Sequence, residues 1–600
     1  VTLDITRLLE LTTWRAFDVT DDGRVLAGCD ESGSVQLVEL ADDKRTELTA
    51  LTGAVTGRYL PGERAVVVQH DSDGNERGQL SLLRLDDRRR RPAQLSDLEP
   101  LVRDPEHVHR LLDVLPGRIV YATNRRNGVD FDVVIRSAVT GEEHVLYDGG
   151  GMVAEVSIDP GSRWAAITVP AARPLSDQVL LAEIMPGTGS DRLRELIGRD
   201  VAARHLNPGW QAGGLVVTSD AGREHTGIAR LDPRTGEHRW LVTSPSHDLT
   251  GRLSPDGRTL LVLTAVDGAH RPALHDAETG EHLLDIALPT EGWCGFPLPE
   301  PVWSPDSRFA ALTFSSPTSP GDVLLVDITA RSCAPLTVSA AQLAGEALAE
   351  PSVHRVPARD GQQIPCFRYS PAEPDGSAVL LIHGGPESES VRAFHPLVQA
   401  MVARGHTVLV PNVRGSTGYG KTWYSADDAR NRLESVEDLA DLHQWLPAAG
   451  VDPSRAALWG GSYGGYMVLA GLAFQPELWA AGVDIVGISS LVTFLENTAP
   501  YRRAHREREY GSLATDADFL REASPLTRAS SIAAPLFVLH GANDPRVPLS
   551  EAEQIVEAVR GNDVACEFHV YPDEGHGLAK RSNRLDAYPK ALAFLARHLG

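Results

Sequence analysis

The sextet Gly460-Gly461-Ser462-Tyr463-Gly464-Gly465 contains Gly-x-Ser-x-Gly, a spacing that holds a serine on a tight turn between a strand and a helix. The flanking residues suit that turn. AALWG (456–460) is apolar and strand-like, and YMVLAGLAF (466–474) is apolar and helix-like. Glycines on either side let strand and helix approach closely, and the helix N-terminus behind the serine favours developing negative charge. A serine hydroxyl attacks well only when a base takes its proton. Downstream, Asp544 ends the loop GAND after the strand-like PLFVLH, and His576 follows EFHVYP and the loop DEG. Both positions are strand C-termini, where open α/β sheets place their sites. Ser462, Asp544 and His576 are therefore expected to form a catalytic triad. His576 would shuttle the proton while Asp544 fixes its tautomer and stabilises the imidazolium.

The tetrahedral intermediate of acyl transfer needs donors aimed at its oxyanion. One is expected from the backbone N–H of Tyr463, just after the nucleophile. The other is expected from the loop His383-Gly384-Gly385-Pro386, with the Gly385 N–H preferred and Gly384 as the alternative.

The elements that must carry these groups are legible after about residue 345. AVLLIHGG (378–385) and HTVLVPNVRG (406–415) read as buried strands, and SVEDLADLHQWLPAAG (435–450) as a helix capped by Gly450. SEAEQIVEAVRG (550–561) reads as a helix opened by a Ser-x-x-Glu capping box. Apolar strands alternating with helices imply a doubly wound, mostly parallel sheet, here an α/β-hydrolase domain over residues 346–600. AAQLAGEALAEPS, just before it, reads as a short helical connector.

Residues 14–330 have a different grammar. A turn followed by an apolar strand recurs seven times, from DVTDDGRVLAG at Asp18 to WSPDSRFAALT at Trp303, at intervals of 40 to 54 residues. Each copy is followed by a strand, a polar turn and another strand. Examples are LVELADDKRTEL at Leu37, LLRLDDRRRRPAQL at Leu82, LLAEIMPGTGSDRLREL at Leu180 and IARLDPRTGEHRWL at Ile228. Four short strands per period, repeated seven times, predict a seven-bladed β-propeller over residues 1–345. A pair of β-sandwiches would not explain the period. The first 13 or so residues are expected to pack on the hydrolase domain instead.

HGGP, PNVRGSTGYG (411–420), GGSYGGY, GANDPRVP (541–548) and DEGHG (573–577) together resemble the prolyl oligopeptidase family of serine peptidases, in particular its acylaminoacyl-peptidase and aminopeptidase branch. The resemblance covers essentially the whole chain, because that family also carries an N-terminal propeller. It implies hydrolysis of short peptides near the N-terminus through an acyl-enzyme, with the propeller restricting access. It also implies that Arg546 binds the carbonyl of the substrate residue preceding the cleaved one, a task suited to a planar cationic donor. The pocket beside the scissile bond is expected to be apolar, with Tyr463, Ile488, Leu491 and Phe494 as wall candidates. The following RRAHRERE (502–509) is dense in charge and reads as a solvated helix face or as a contact to a substrate terminus or a second subunit. The dipeptidyl-peptidase branch holds a free substrate amine with paired glutamates. The single Glu-Glu here, Glu142-Glu143, lies in a blade turn, so dipeptidyl release is less supported. An esterase or amidase acting on a small natural product remains an alternative, since the same triad serves both. A propeller platform on an inactive hydrolase is a third reading.

Composition narrows the partners. A formal net charge of −24 repels nucleic acid and anionic membrane surfaces. No run of apolar residues is long enough to span a bilayer, and the N-terminus lacks a secretory pattern. The five cysteines are scattered without a C-x-x-C pair, which predicts free thiols and a cytoplasmic setting. Lysine occurs only at positions 44, 421, 580 and 590, so nearly all positive charge is arginine. His107 and His109 have no recognisable metal spacing, so neither a metal nor a cofactor is expected. A short peptide is the expected partner, and self-association into a homo-oligomer is compatible with the sequence.

Overall fold

The computed structural model describes residues 3–41, 44–85, 91–184 and 193–600. Among these residues seven four-stranded antiparallel sheets follow one another along the chain. The turn phrases expected at 42–43, 86–90 and 185–192 lie outside the described residues. Each blade takes its four strands from consecutive sequence. The ring closes by packing rather than by a shared strand: Trp14, Ala16 and Val25 of the first blade meet Phe309, Ala311 and Val323 of the last in one apolar cluster. A single blade leaves both faces of its sheet open, and stacking neighbours around an axis buries them.

The second half builds one eight-stranded sheet. Its strands are β1 (Ser352–Pro357), β2 (Gln363–Tyr369), β3 (Ala378–Ile382), β4 (Thr407–Pro411), β5 (Ala456–Gly461), β6 (Ala481–Ile485), β7 (Leu536–Gly541) and β8 (Cys566–Tyr571). Their order is β1-β2-β4-β3-β5-β6-β7-β8. The pairs β1–β2 and β2–β4 are antiparallel and the rest parallel. Strands β3, β5 and β7 are buried along nearly their whole length, as a sheet covered on both faces requires.

Helices α1 (Ile5–Leu9), α2 (Pro396–Val402), α3 (Arg432–Trp445), α4 (Tyr463–Phe474), α5 (Leu491–Asn497), α6 (Pro500–Tyr510), α7 (Leu549–Gly561) and α8 (Arg581–Leu599) surround the sheet. Leu3, Ile5, Leu8, Leu9 and Leu11 join the core formed by α2, α8 and the strands behind them, so the N-terminal segment packs on the second half.

Three local readings change. Helix α3 begins at Arg432 and passes into a 3-10 turn before Gly450, whose φ of +72° ends it. The Ser550 capping box does not form, because α7 begins one residue earlier behind Pro548 and has no side-chain cap. The connector is a 3-10 turn over Ser339–Leu343 followed by irregular chain, not an α-helix.

Candidate active site

Strand β5 runs into α4 through Ser462, which has φ +59° and ψ −117°. That conformation is unfavourable for any residue with a Cβ, so the surrounding contacts must hold it. They are close. The Ser462 N–H donates to the Ile485 carbonyl (2.8 Å), and a Cβ on Gly460 would come within 2.2 Å of the Gly464 carbonyl oxygen. A Cβ on Gly464 would come equally close to the Ile382 carbonyl oxygen, which is why strand β3, the turn and α4 can meet only through glycine.

Ser462, His576, Gly384 and Gly385 line one cavity of about 390 Å³ between the two halves of the molecule. His576 Nδ1 lies 2.7 Å from Asp544 Oδ2. The other carboxylate oxygen, Oδ1, accepts the N–H groups of Arg546 (2.8 Å) and Val547 (3.0 Å). The Asp544 side chain is fully buried. Burial pushes its carboxyl up, but the His576 hydrogen bond and charge, His540 and the Val547 amide outweigh burial and hold it below the usual range. The His576 loop is itself braced. Buried Glu574 accepts the N–H groups of Ala579 (3.0 Å) and Lys580 (2.9 Å) at the start of α8.

Beside Ser462, Gly385 has φ +136° and faces the cavity next to Gly384. A Cβ on Gly384 would lie 3.4 Å from the Ser462 Cβ, so this loop runs directly against Ser462.

The structure brings Arg546, Ile488 and Phe494 to the same cavity. Two wall candidates go elsewhere. Leu491, the first residue of α5, is wholly buried in the core between α4, α7 and the sheet. The Tyr463 ring also turns inward, since the turn that exposes Ser462 directs the next side chain under α4. Its hydroxyl meets Ser435 Oγ (2.7 Å) and Asp427 Oδ2 (3.1 Å). The wall also contains Phe296, Glu387, Ser388, Arg502, Arg506, Tyr510 and Val547, so it is not purely apolar. These residues carried no contiguous motif; the charge density of 502–509 was their one visible signal.

Beneath the site lies a buried charged group. Arg432 of α3 is fully buried and ion-pairs with Asp427 and Glu509. It also donates to the Glu509 carbonyl (3.0 Å) and the Tyr463 hydroxyl (3.3 Å). Burial alone would push this guanidinium down, but Asp427, Tyr463 and Glu509 outweigh it and hold it firmly charged. Carboxylate oxygens of Asp427, Asp428 and Glu509 lie within 4.8 Å of one another, close enough to suggest a cation site. Arg432 already supplies the cation for two of them.

The propeller reaches the loops that carry Asp544 and His576. Residues 71–78, between the second and third strands of the second blade, touch both. Asn543 Nδ2 donates to the Asp73 carbonyl (3.2 Å), and a Cβ on Gly575 would collide with the Gly74 carbonyl oxygen. Arg546 Nε donates to Glu76 Oε1 (2.6 Å), so Arg546 is both a cavity residue and an ion-pair partner. Glu142 and Glu143 are remote from this. Glu143 binds Arg136 (2.8 Å) and the Tyr121 hydroxyl (2.8 Å) within its own blade.

A second cavity of about 400 Å³ adjoins the first through Phe296 and Glu387 and is lined by Glu389, Asp177 and Glu155. Burial first, then Asp248, pushes the Glu389 carboxyl up to about 8. The folded state therefore keeps a proton that an unfolded glutamate releases at its ordinary, lower pKa. The stability tied to Glu389 is full below that ordinary value and is lost as pH rises through about 8. Glu389→Gln still accepts from Thr417 Oγ1 (3.3 Å in the wild type) but cannot ionise. Its melting temperature should gain on the wild type between about pH 5 and about pH 8.5. An equal gap at both pH values would contradict this.

Residues 392–600 match the Peptidase_S9 family, described as the prolyl oligopeptidase family. The chain is 28% identical over 576 residues to Dipeptidyl aminopeptidase BIII of Pseudoxanthomonas mexicana, covering 88% of this chain and 78% of that protein. It is 27% identical over 230 residues to the acylamino-acid-releasing enzyme of Homo sapiens, covering 37% of this chain and 31% of that one. Among solved structures, a Mycobacterium tuberculosis puromycin-hydrolyzing peptidase superposes with a TM-score of 0.86 at 22% identity, over 100% of this chain and 96% of that one. That likeness establishes the shared fold.

Proposed function

We infer that this chain, whose residues 392–600 match the prolyl oligopeptidase family, is a serine peptidase in which Ser462, His576 and Asp544 hydrolyse short peptides near their N-termini through an acyl-enzyme. Residues 346–600 would supply the catalysis and residues 1–345 the gate. The observation that carries this reading is the shared cavity. Ser462, His576 and the Gly384-Gly385 loop face one cavity, with Asp544 anchored 2.7 Å behind the histidine. His576 takes the Ser462 proton during attack and returns it to the leaving amine. The N–H groups of Tyr463 and Gly385 would receive the oxyanion. Arg546, tethered by Glu76, would hold the carbonyl preceding the cleaved residue. The roof formed by the propeller favours short substrates over folded proteins.

A second reading within the same chemistry is release from a free amino terminus. Glu387 supports it, being a carboxylate in the cavity two residues after Gly385. The similarity to a protein named a dipeptidyl aminopeptidase supports it too. The deciding experiment compares aminoacyl and dipeptidyl anilides, each with a free and an acetylated amine, using Ser462→Ala as blank. Faster cleavage of the acetylated set supports an acylaminoacyl-type site. Faster cleavage of the free set supports an aminopeptidase, and preference for the dipeptidyl members supports dipeptide release. Ester turnover without any anilide turnover would instead favour an esterase.

Among the described residues no helix is long and apolar enough to cross a membrane. A cytoplasmic location agrees with five unpaired cysteines.

A further inference from the structure

Helix α6 carries the charged segment that the chemistry above leaves unused. Arg502, Arg506 and Tyr510 recur every four residues and so share one helix face. All three line the cavity that contains Ser462 and His576, and Arg546 adds a third guanidinium.

The three arginines are held differently. Arg546 donates to Glu76, and Arg502 lies 4.0 Å from the other oxygen of the same carboxylate. Arg506 has no hydrogen-bond or ion-pair partner among the described residues. The guanidinium groups also feel one another. Burial first, then Arg506 and Arg546, push Arg502 down to about 10, which still leaves it charged at neutral pH. The acidic group in the cavity wall is Glu387, whose carboxyl is pushed up by burial and by Glu509 against the pull of Arg506 and Arg508. Three guanidinium groups thus face one carboxyl in front of Ser462, and half-buried Arg506 makes no hydrogen bond or ion pair to it, which leaves its donors open to an arriving anion. Leaving such a group without a partner is unfavourable, and an arriving carboxylate relieves it through a two-pronged hydrogen bond.

Ser462 and the Gly384-Gly385 loop mark where the attacked carbonyl sits. Ile488, Phe494, Tyr510 and Val547 form the apolar wall beside it, and Arg506 lies one turn before Tyr510 on α6. A side chain on the acyl residue would run along this wall toward Arg506. We propose that the pocket selects an acidic side chain on the residue whose carbonyl Ser462 attacks, and that Arg506 is the residue that determines this specificity. The proposal rests on the peptidase reading above.

The test measures kcat/KM for anilides of Glu, Gln and Met, in whichever amine state the first comparison favours. Gln matches Glu in shape without the charge, so the Glu-to-Gln ratio isolates recognition of the anion. The wild type should prefer Glu by about 10- to 100-fold at low salt, with the ratio shrinking as ionic strength rises. Arg506→Met should bring the ratio to one or below, and Arg506→Lys should keep part of it. Each ratio is taken within one protein, so a general loss of folded enzyme cancels. A wild-type ratio at or below one, with Met and Gln still hydrolysed, overturns the acidic pocket while leaving the peptidase reading intact. A high ratio that survives Arg506→Met overturns the role of Arg506. No turnover on any of the three defeats the peptidase reading, and this proposal with it.

Discussion

Ser462→Ala should remove nearly all turnover, a fall of about 10⁴- to 10⁶-fold in kcat, while the protein stays folded. The residual rate would come from the oxyanion donors and from binding, neither of which the substitution touches. The folded state should survive because alanine keeps the Cβ and the same backbone demand at φ +59°. Ser462→Gly sharpens the test. Glycine adopts that conformation without strain, so this variant should be as inactive as the alanine variant yet more stable by about 1 kcal/mol. Thermal melts and anilide kinetics on the three proteins would check both effects together. Labelling by a fluorophosphonate should be lost in both variants. Retained activity in Ser462→Ala would remove the nucleophile from the proposed mechanism.

The second large effect concerns Arg432. Arg432→Met removes a buried cation and leaves Asp427 and Glu509 facing each other without it. Breaking a buried pair in this way costs about 3–5 kcal/mol, because an unpaired charge stays in the interior. For a domain of this size that corresponds to a fall of about 10 °C in melting temperature. The loss should depend on pH in a defined direction. Burial already pushes the Asp427 carboxyl up to about 8 against the pull of Arg432, and removing Arg432 takes that pull away. The folded variant would then hold the Asp427 proton to higher pH than the wild type, so the deficit should be small in acid and grow as pH rises. Adding Asp427→Asn and Glu509→Gln should recover part of the loss by removing the stranded charges. A variant as stable as the wild type at neutral pH would show that the group is not held as an ion pair. Activity should fall as well, because Tyr463, whose N–H is proposed to receive the oxyanion, is anchored through its hydroxyl to this cluster.

Much of this protein could be read directly from its residues. The propeller follows from a turn-and-strand phrase repeated seven times, since each blade folds from consecutive residues and its strands are local partners. The catalytic candidates follow for a related reason. The turn around Ser462 needs glycines at fixed offsets, because Gly460 and Gly464 approach neighbouring carbonyls too closely for any Cβ. Asp544 and His576 each end a strand of a parallel sheet, and that geometry puts strand C-termini side by side.

The pocket was not legible in the same way. Leu491 and Phe494 lie in one short helix and both pack in the same core, yet only Phe494 also lines the cavity. Three residues of spacing cannot say which side of a helix a neighbouring domain leaves open. Tyr463 follows Ser462 but buries its ring against a charged group assembled from α3, α6 and the chain before α3. Glu76 reaches Arg546 across 470 residues of chain, and no local pattern marks that meeting.

The two-part architecture, the candidate nucleophile and its proposed partners could be read from the residues alone, because each depends on short-range spacing or on the fixed order of strands. The charge of the cavity in front of Ser462 became visible only in the folded molecule. The arginines of α6 and Glu387 meet through the folding of the second half, and the propeller loop at 71–78 brings Glu76 to Arg546 and Arg502 only when the two halves dock; their charges acquire meaning from that proximity and from the water it excludes.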